Sequence, residues 1–165
     1  MSDLPLAPAV PLSFPEELPE HLWRHPTRAA IDALATRFGL PNGPNMQDWE
    51  WEVADSKRLD DFIGAYESGE LNDDERFTLM ETIIQSFEEL GPLHEYDPRW
   101  QRILEILDQN IELHICTVWY WSRLDGETPD EQFLVTPSIR RVLANHRAWL
   151  EREKSKEQCH RQTHQ

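Results

Sequence analysis

The chain has 165 residues, 39% of them hydrophobic, and its 31 acidic residues outnumber 16 Lys and Arg, which gives a formal net charge of −15. This length and composition suit one globular domain with a single core, and they exclude a chain that is disordered throughout. The negative charge disfavours nucleic acid and anionic lipid as partners, because both are polyanions.

The acidic residues are concentrated in one part of the chain. Residues 48–97 hold 16 acidic and three basic residues, whereas residues 136–165 hold seven Lys and Arg and only three Glu. A concentrated negative field attracts positively charged proteins at rates that fall as salt is added. We therefore expect a basic protein partner, with no role for nucleic acid or a membrane.

The cysteines and the N-terminus indicate the compartment. Only Cys116 and Cys159 occur, which is no disulfide framework and is typical of a reducing compartment. The N-terminus lacks the basic region of a signal peptide, and no apolar stretch is long enough to span a bilayer. We expect a soluble, cytoplasmic protein.

Prolines and polar residues mark the two ends of the chain. Six of the 12 prolines lie before Thr27, and this spacing predicts a Pro-rich extended arm over residues 1–24. The apolar residues of the arm can pack on the folded body, which we favour, or on a partner. Residues 25–154 are expected to form a single helical domain, and residues 155–165 a polar, mobile tail.

Apolar residues at helical spacing, with capping residues at their ends, predict about five helices. The clearest start is a capping box at Asn72 and Glu75, with Asn in place of the usual Ser or Thr. The clearest stop is Gly39, which suits the left-handed conformation that ends many helices. The predicted helices cover residues 26–38, 57–68, 72–90, 98–121 and 136–154.

Two segments permit alternative structures. Residues 49–53 alternate Trp, Glu, Trp, Glu and Val, so that a strand would place both Trp side chains on one face, although a loop is also possible. Residues 110–122 either continue the fourth helix or form a separate element, since residues 115–120 also suit a strand. The predicted fold is an irregular all-α bundle with at most a short strand at residues 49–53.

Aromatic residues provide the first candidate contacts. Trp119, Tyr120 and Trp121 cover most of a helix circumference, which is typical of a core helix and also of an interface. Trp49 and Trp51 lie among carboxylates, a combination that can hold the stem and charged head of a partner's Lys or Arg. Packing of these two rings on the following helix is the alternative.

Motifs for metal binding or catalysis are missing from the sequence. No Glu-x-x-His lies within a predicted helix, and no His-Glu-x-x-His, Cys-x-x-Cys or Gly-x-Ser-x-Gly occurs. Cys159, His160 and His164 lie in the predicted tail, and His114 lies on an apolar helix face, where a hydrogen-bonded core histidine is the common case. We expect no metal, no cofactor and no catalytic residue.

The chain resembles the small acidic helical proteins that bacteria encode as immunity partners of polymorphic and contact-dependent toxins. The resemblance covers roughly residues 46–145 and includes Phe77-x-Leu79-Met80-x-x-Ile83-Ile84 and Tyr120-Trp121-Ser122. It implies a cytoplasmic protein that blocks a basic nuclease or similar toxin by occupying its active face, without catalysis. The candidate partner-binding residues are Trp49, Glu50, Trp51, Glu52, Asp60, Asp61, Asp73 and Asp74.

Two other functions are compatible with an acidic helical protein. A secretion chaperone or adaptor would dimerise around an apolar groove lined by Trp119, Tyr120 and Trp149. A nucleic-acid mimic would present carboxylates at roughly duplex spacing to a DNA-binding protein. The sequence leaves the identity of the partner, the oligomeric state and the role of the Pro-rich arm open.

Overall fold

The computed structural model describes residues 18–123 and 132–163, without the side chains of residues 160–163. The regular structure of these residues is helical. The all-α prediction is confirmed for this part of the chain, which has no strand. In the described part of the chain, eight α-helices replace the predicted five, because one short helix is added and two long ones are divided. They are α1 (Arg28–Phe38), α2 (Trp49–Glu52), α3 (Leu59–Glu67), α4 (Asp73–Leu90), α5 (Pro98–Gln109), α6 (Ile111–Ser122), α7 (Thr136–Asn145) and α8 (Arg147–Thr163).

Helix α4 lies at the centre of the fold, and its start is the predicted capping box. The Asn72 side-chain oxygen accepts from the Glu75 N–H at 2.8 Å, and the Glu75 carboxylate accepts from the Asn72 N–H at 3.0 Å. Helices α1, α2, α3 and α6 all pack against α4, so most of its circumference is buried. Its largest buried apolar side chains are Phe77, Leu79, Met80, Ile83, Ile84 and Phe87.

Residues 49–53 contain the short helix α2 and no strand, which corrects the strand alternative. Residues two apart on a helix point about 200° apart, so the two Trp side chains face different neighbours. The Trp49 indole N–H donates to the Pro41 carbonyl at 2.7 Å, whereas the Trp51 indole N–H donates to the Glu81 carboxylate at 3.1 Å. Alternation in the sequence therefore did not correspond to one shared face.

The predicted helix over residues 98–121 bends at Asn110. The Asn110 side-chain amide donates to the Ile106 carbonyl at 3.0 Å, in addition to the backbone bond that Asn110 makes to the same oxygen. The side chain thereby takes part in ending α5, and the next residue begins α6. Residues 115–120 are helical, so the strand alternative for them is wrong.

A second bend divides the last predicted helix at His146. Its ring Nε2 lies 2.9 Å from the Asp108 carboxylate of α5, a contact that holds the junction of α7 and α8 against the body. Helix α8 then continues to Thr163, across most of the segment predicted as a polar tail.

The described end of the Pro-rich arm packs on the body, whereas residues 1–17 lie outside the described residues. Leu18 is buried and Leu22 packs against the core. Cys116 joins this segment to α6: its thiol donates to the Leu22 carbonyl at 3.3 Å and accepts from the Arg24 N–H at 3.1 Å. The segment before α1 is therefore held beside α6.

Candidate functional site

A largely apolar cleft of about 630 Å³ opens where α2, α4 and α6 meet the segment before α1. We call it the aromatic cleft. The Trp51 and Tyr120 rings stack with their centroids 5.1 Å apart, and the Tyr120 side chain is 40% exposed. The walls of the aromatic cleft include Trp23, Trp51, Phe77, Trp119 and Tyr120, together with Glu50 and Glu81.

Glu81 is the buried carboxylate of the aromatic cleft. One of its oxygens accepts from the Thr117 hydroxyl at 2.7 Å, and the other accepts from the indole N–H groups of Trp51 and Trp121, both at 3.1 Å. Burial raises the pKa of the Glu81 carboxyl above its usual range, and these three hydrogen bonds oppose the shift. Three helices of the fold thus converge on one acidic group, because α4 carries Glu81 and the donors come from α2 and from the C-terminal half of α6.

Glu50 brings a second carboxyl to the same cleft and is only 8% exposed. Burial raises its pKa, a hydrogen bond from its own backbone opposes the shift, and the negative charge of Glu81 adds to the increase. The Glu50 carbonyl accepts from the Thr82 hydroxyl at 2.6 Å, which fixes α2 against α4. The cleft therefore contains two desolvated carboxyl groups.

The predicted contact residues on α2 take three different positions. Trp49 lies in the core and is 2% exposed, so its ring is not available to a partner in this structure. Glu50 and Trp51 line the aromatic cleft, and Glu52 lies exposed on the same helix. Together with exposed Asp48, these residues make α2 an acidic rim beside aromatic rings.

The other four predicted contact residues lie at the starts of α3 and α4, and each forms an ion pair with an arginine of this chain. The pairs are Asp60–Arg99 (3.0 Å), Asp61–Arg58 (3.4 Å), Asp74–Arg24 (2.8 Å) and Asp73–Arg76. In contrast, no ion pair involves Asp48, Glu50, Glu52 or Glu81 within the described ranges. Of the eight predicted contact residues, the acidic ones without an ion pair in the described ranges are therefore Glu50 and Glu52, both on α2.

Glu81, Trp119 and Tyr120 belong to the cleft, although Glu81 was not predicted from the sequence and the two aromatic residues were left open between core and interface. The sequence nevertheless contains a pattern that indicates a buried position for Glu81. Glu81 follows Phe77 by four residues and precedes Ile84 by three, which places a charged side chain on the buried face of α4. A buried charge needs several hydrogen bonds, and the donors of Glu81 come from α2 and α6.

A second cavity, of about 710 Å³, lies between the segment before α1, α4, α6 and α8. Its walls carry both signs of charge, so it favours neither cations nor anions. Trp149 lines this cavity, whereas Trp119 and Tyr120 line the aromatic cleft, so the three residues of the predicted chaperone groove do not share one cavity. The charged residues that line the second cavity are Arg24, Arg76, Lys156, Asp73, Glu112 and Glu153.

Comparison with known protein families, curated proteins and solved structures found no match to this chain. Among the described helices, none is both long enough and apolar enough to cross a membrane. Within the same part of the chain, no three His, Cys, Asp or Glu side chains are grouped so that they could hold a metal ion. The side chains of His160 and His164 lie outside the described part. Function is therefore inferred from the cleft and the charge around it.

Proposed function

We propose that this chain is a non-catalytic protein-binding module that recognises a basic protein, as an immunity-type inhibitor of a toxin nuclease does. One observation carries the proposal: Glu50, which lines the aromatic cleft, and the neighbouring exposed residues Asp48 and Glu52 have no ion pair among the described residues. The other four predicted acidic contacts are each paired with an arginine. Among the predicted contacts, the carboxylates that remain for a partner are therefore those of α2.

Charge and aromatic rings contribute to binding in different ways. The exposed carboxylates of Asp48 and Glu52 act at long range, and electrostatic steering of this kind raises association rates by about 10- to 1000-fold at low salt. The exposed ring of Tyr120 and the cleft behind it act at contact, where aromatic anchors contribute most of the binding energy in many interfaces. A basic nuclease must keep a positive face for its phosphate substrate, and such a face complements this surface.

The proposal is tested by capturing partners from the native cell on three immobilised forms of the chain. The first is the wild type, the second carries Asp48→Lys and Glu52→Lys at the N-cap and the last residue of α2, and the third carries Asp60→Lys and Asp61→Lys on α3. Bound proteins are eluted with a salt gradient and identified by mass spectrometry. The two variants change the net charge equally and reverse it at different places, and only the α3 variant also removes two internal ion pairs.

We expect one basic protein that is retained by the wild type, is released by salt, and is lost or eluted much earlier from the α2 variant than from the α3 variant. The α3 variant should retain it better because Asp60 and Asp61 already pair with Arg99 and Arg58. If no basic protein is captured, or if both variants lose it equally, the proposed role of α2 is wrong.

A further inference from the structure

The aromatic cleft contains more acid than its immediate surroundings neutralise. Glu50 and Glu81 line it, and no cation of the described residues pairs with either of them. Arg24 also lines the cleft, but its guanidinium donates to Asp74 at 2.8 Å, so its charge is already compensated. A positively charged group that entered the cleft would therefore meet two carboxyl groups without a counter-ion.

The hydrogen bonds of Glu81 leave room for one more donor. An ionised carboxylate has about four acceptor positions, and Glu81 uses three of them: one on Oε1 for Thr117 and two on Oε2 for Trp51 and Trp121. Oε1 thus retains an acceptor position, and no other side chain of the described residues donates to it. The carboxyl of Glu50 likewise receives no side-chain hydrogen bond within these residues.

The shape and polarity of the cleft favour a flat, weakly hydrated cation. Guanidinium groups stack on aromatic faces and donate in parallel to carboxylates, whereas an ammonium group holds its water more tightly. The rim already contains an example, because the Arg24 guanidinium lies 6.0 Å from the centre of the Phe77 ring while it donates to Asp74. The interior offers the same combination of ring and carboxylate, without an internal arginine.

We propose that the aromatic cleft binds the guanidinium group of an arginine side chain that the basic partner inserts between Tyr120 and Glu50. This inference rests on the proposed function and names the side chain by which the partner is recognised. The stem of the arginine would lie along the aromatic walls, and its donors would reach the free acceptor positions of Glu50 and Glu81. Asp48 and Glu52 would remain outside the cleft as steering charges.

The test uses small probes and the full chain. N-acetyl-arginine methylamide is titrated into the ¹⁵N-labelled protein, and the indole N–H signals of Trp51 and Trp121 are followed by NMR, since both groups donate to Glu81. N-acetyl-citrulline methylamide has nearly the same shape without the charge, and N-acetyl-lysine methylamide has the charge without the plane. We expect saturable shifts with the arginine probe, and at least about tenfold weaker binding of the other two.

Two variants locate the site. Glu50→Gln removes a carboxylate from the cleft, whereas Glu52→Gln removes one from the exposed side of the same helix, so the two form a matched pair. We expect about tenfold weaker arginine binding for Glu50→Gln and less than twofold for Glu52→Gln. Glu81→Gln, whose amide oxygen can accept from the two indole N–H groups while its NH₂ donates to the Thr117 hydroxyl, provides a second cleft variant if Glu50→Gln does not fold.

Several results would overturn the inference. Equal binding of the arginine and citrulline probes would mean that the cleft is only apolar, and unchanged binding in both cleft variants would place the probe elsewhere. Shifts that depend on protein concentration without any probe would mean that a second copy of the chain fills the cleft. The two proposals fail separately: partner capture without probe binding refutes only the arginine site, and probe binding without a basic partner refutes only the protein-binding role.

Discussion

The buried pair of His114 and Tyr66 provides a pH-dependence that can be worked out from the structure. His114 is 0% exposed, and its ring Nε2 lies 2.6 Å from the Tyr66 hydroxyl. Its other ring nitrogen, Nδ1, is buried and has no hydrogen-bond partner among the described residues. Burial lowers the pKa of His114 to about 3, and the nearby charges of Arg76 and Arg24 add to the decrease. The imidazole is therefore neutral in the folded protein at ordinary pH.

The sign of the effect follows from proton linkage. The pKa of His114 is about 3 in the folded state and 6.5 in the unfolded state, so the unfolded chain takes up the proton first as the pH falls. Stability from this group is complete above pH 6.5 and is lost as the pH falls toward 3. The loss is about 2 kcal/mol at pH 5, and about 5 kcal/mol once both states are protonated.

His114→Gln, which does not titrate, measures this contribution. Urea unfolding followed by tryptophan fluorescence at pH 8 and pH 5 should show that the free energy of unfolding falls by about 2 kcal/mol more in the wild type than in the variant. Tyr66→Phe is the matched control: it removes the hydroxyl but keeps the buried imidazole, so it should lower stability and retain the wild-type pH-dependence. Other titrating groups are common to all three proteins and cancel in the comparison. The same pH-dependence in the wild type and His114→Gln would refute the reasoning.

Three further predictions concern stability at neutral pH and are checked by urea unfolding. Asn72→Ala removes the capping box of α4 and should cost about 1 kcal/mol. Gly64→Ala, in the middle of α3 with open space around it, should stabilise by about 0.5–1 kcal/mol, whereas Gly39→Ala, at φ +64°, should destabilise by about 1 kcal/mol. The free energy of unfolding of Glu81→Gln should stay within about 1 kcal/mol of the wild type, because its amide oxygen can face the two indole N–H groups and its NH₂ can face the Thr117 hydroxyl. Glu81→Leu should lower it by about 2 kcal/mol or more, because the buried donors are left unpaired. Opposite signs of the stability change for the two glycine variants would confirm the glycine prediction. Equal costs for the two Glu81 variants would contradict the Glu81 prediction.

Local signals in the sequence predicted the helices that depend on local interactions. The capping box of Asn72 and Glu75 and the left-handed Gly39 are contained within a few residues, so their physics is visible in a short window. A break at Asn110 was left open as an alternative, whereas the bend at His146 was not predicted. His146 contacts Asp108, which is 38 residues away, and such a contact has no signature in the local pattern of apolar residues.

The candidate site was predicted only in part, because some of its contacts are local in the sequence and others join distant residues. Trp51 and Glu50 were selected as a combination of ring and carboxylate, and both line the aromatic cleft. Trp49 was selected on the same pattern but lies in the core, because residues two apart on a helix point about 200° apart, whereas a strand would have placed both Trp side chains on one face. Glu81 was missed because its three donors come from positions at least 30 residues away.

The sequence alone determined the all-α class, the ends of the locally capped helices and the excess of acid in residues 48–97, because composition, helical period and capping are properties of short segments. Only the tertiary structure decided which carboxylates remain uncompensated. Asp60 and Asp74 meet arginines 39 and 50 residues away, whereas Glu50 and Glu81 meet each other in a cleft of aromatic rings. Charge pairing depends on distances of a few ångströms between side chains, and the folded chain sets those distances.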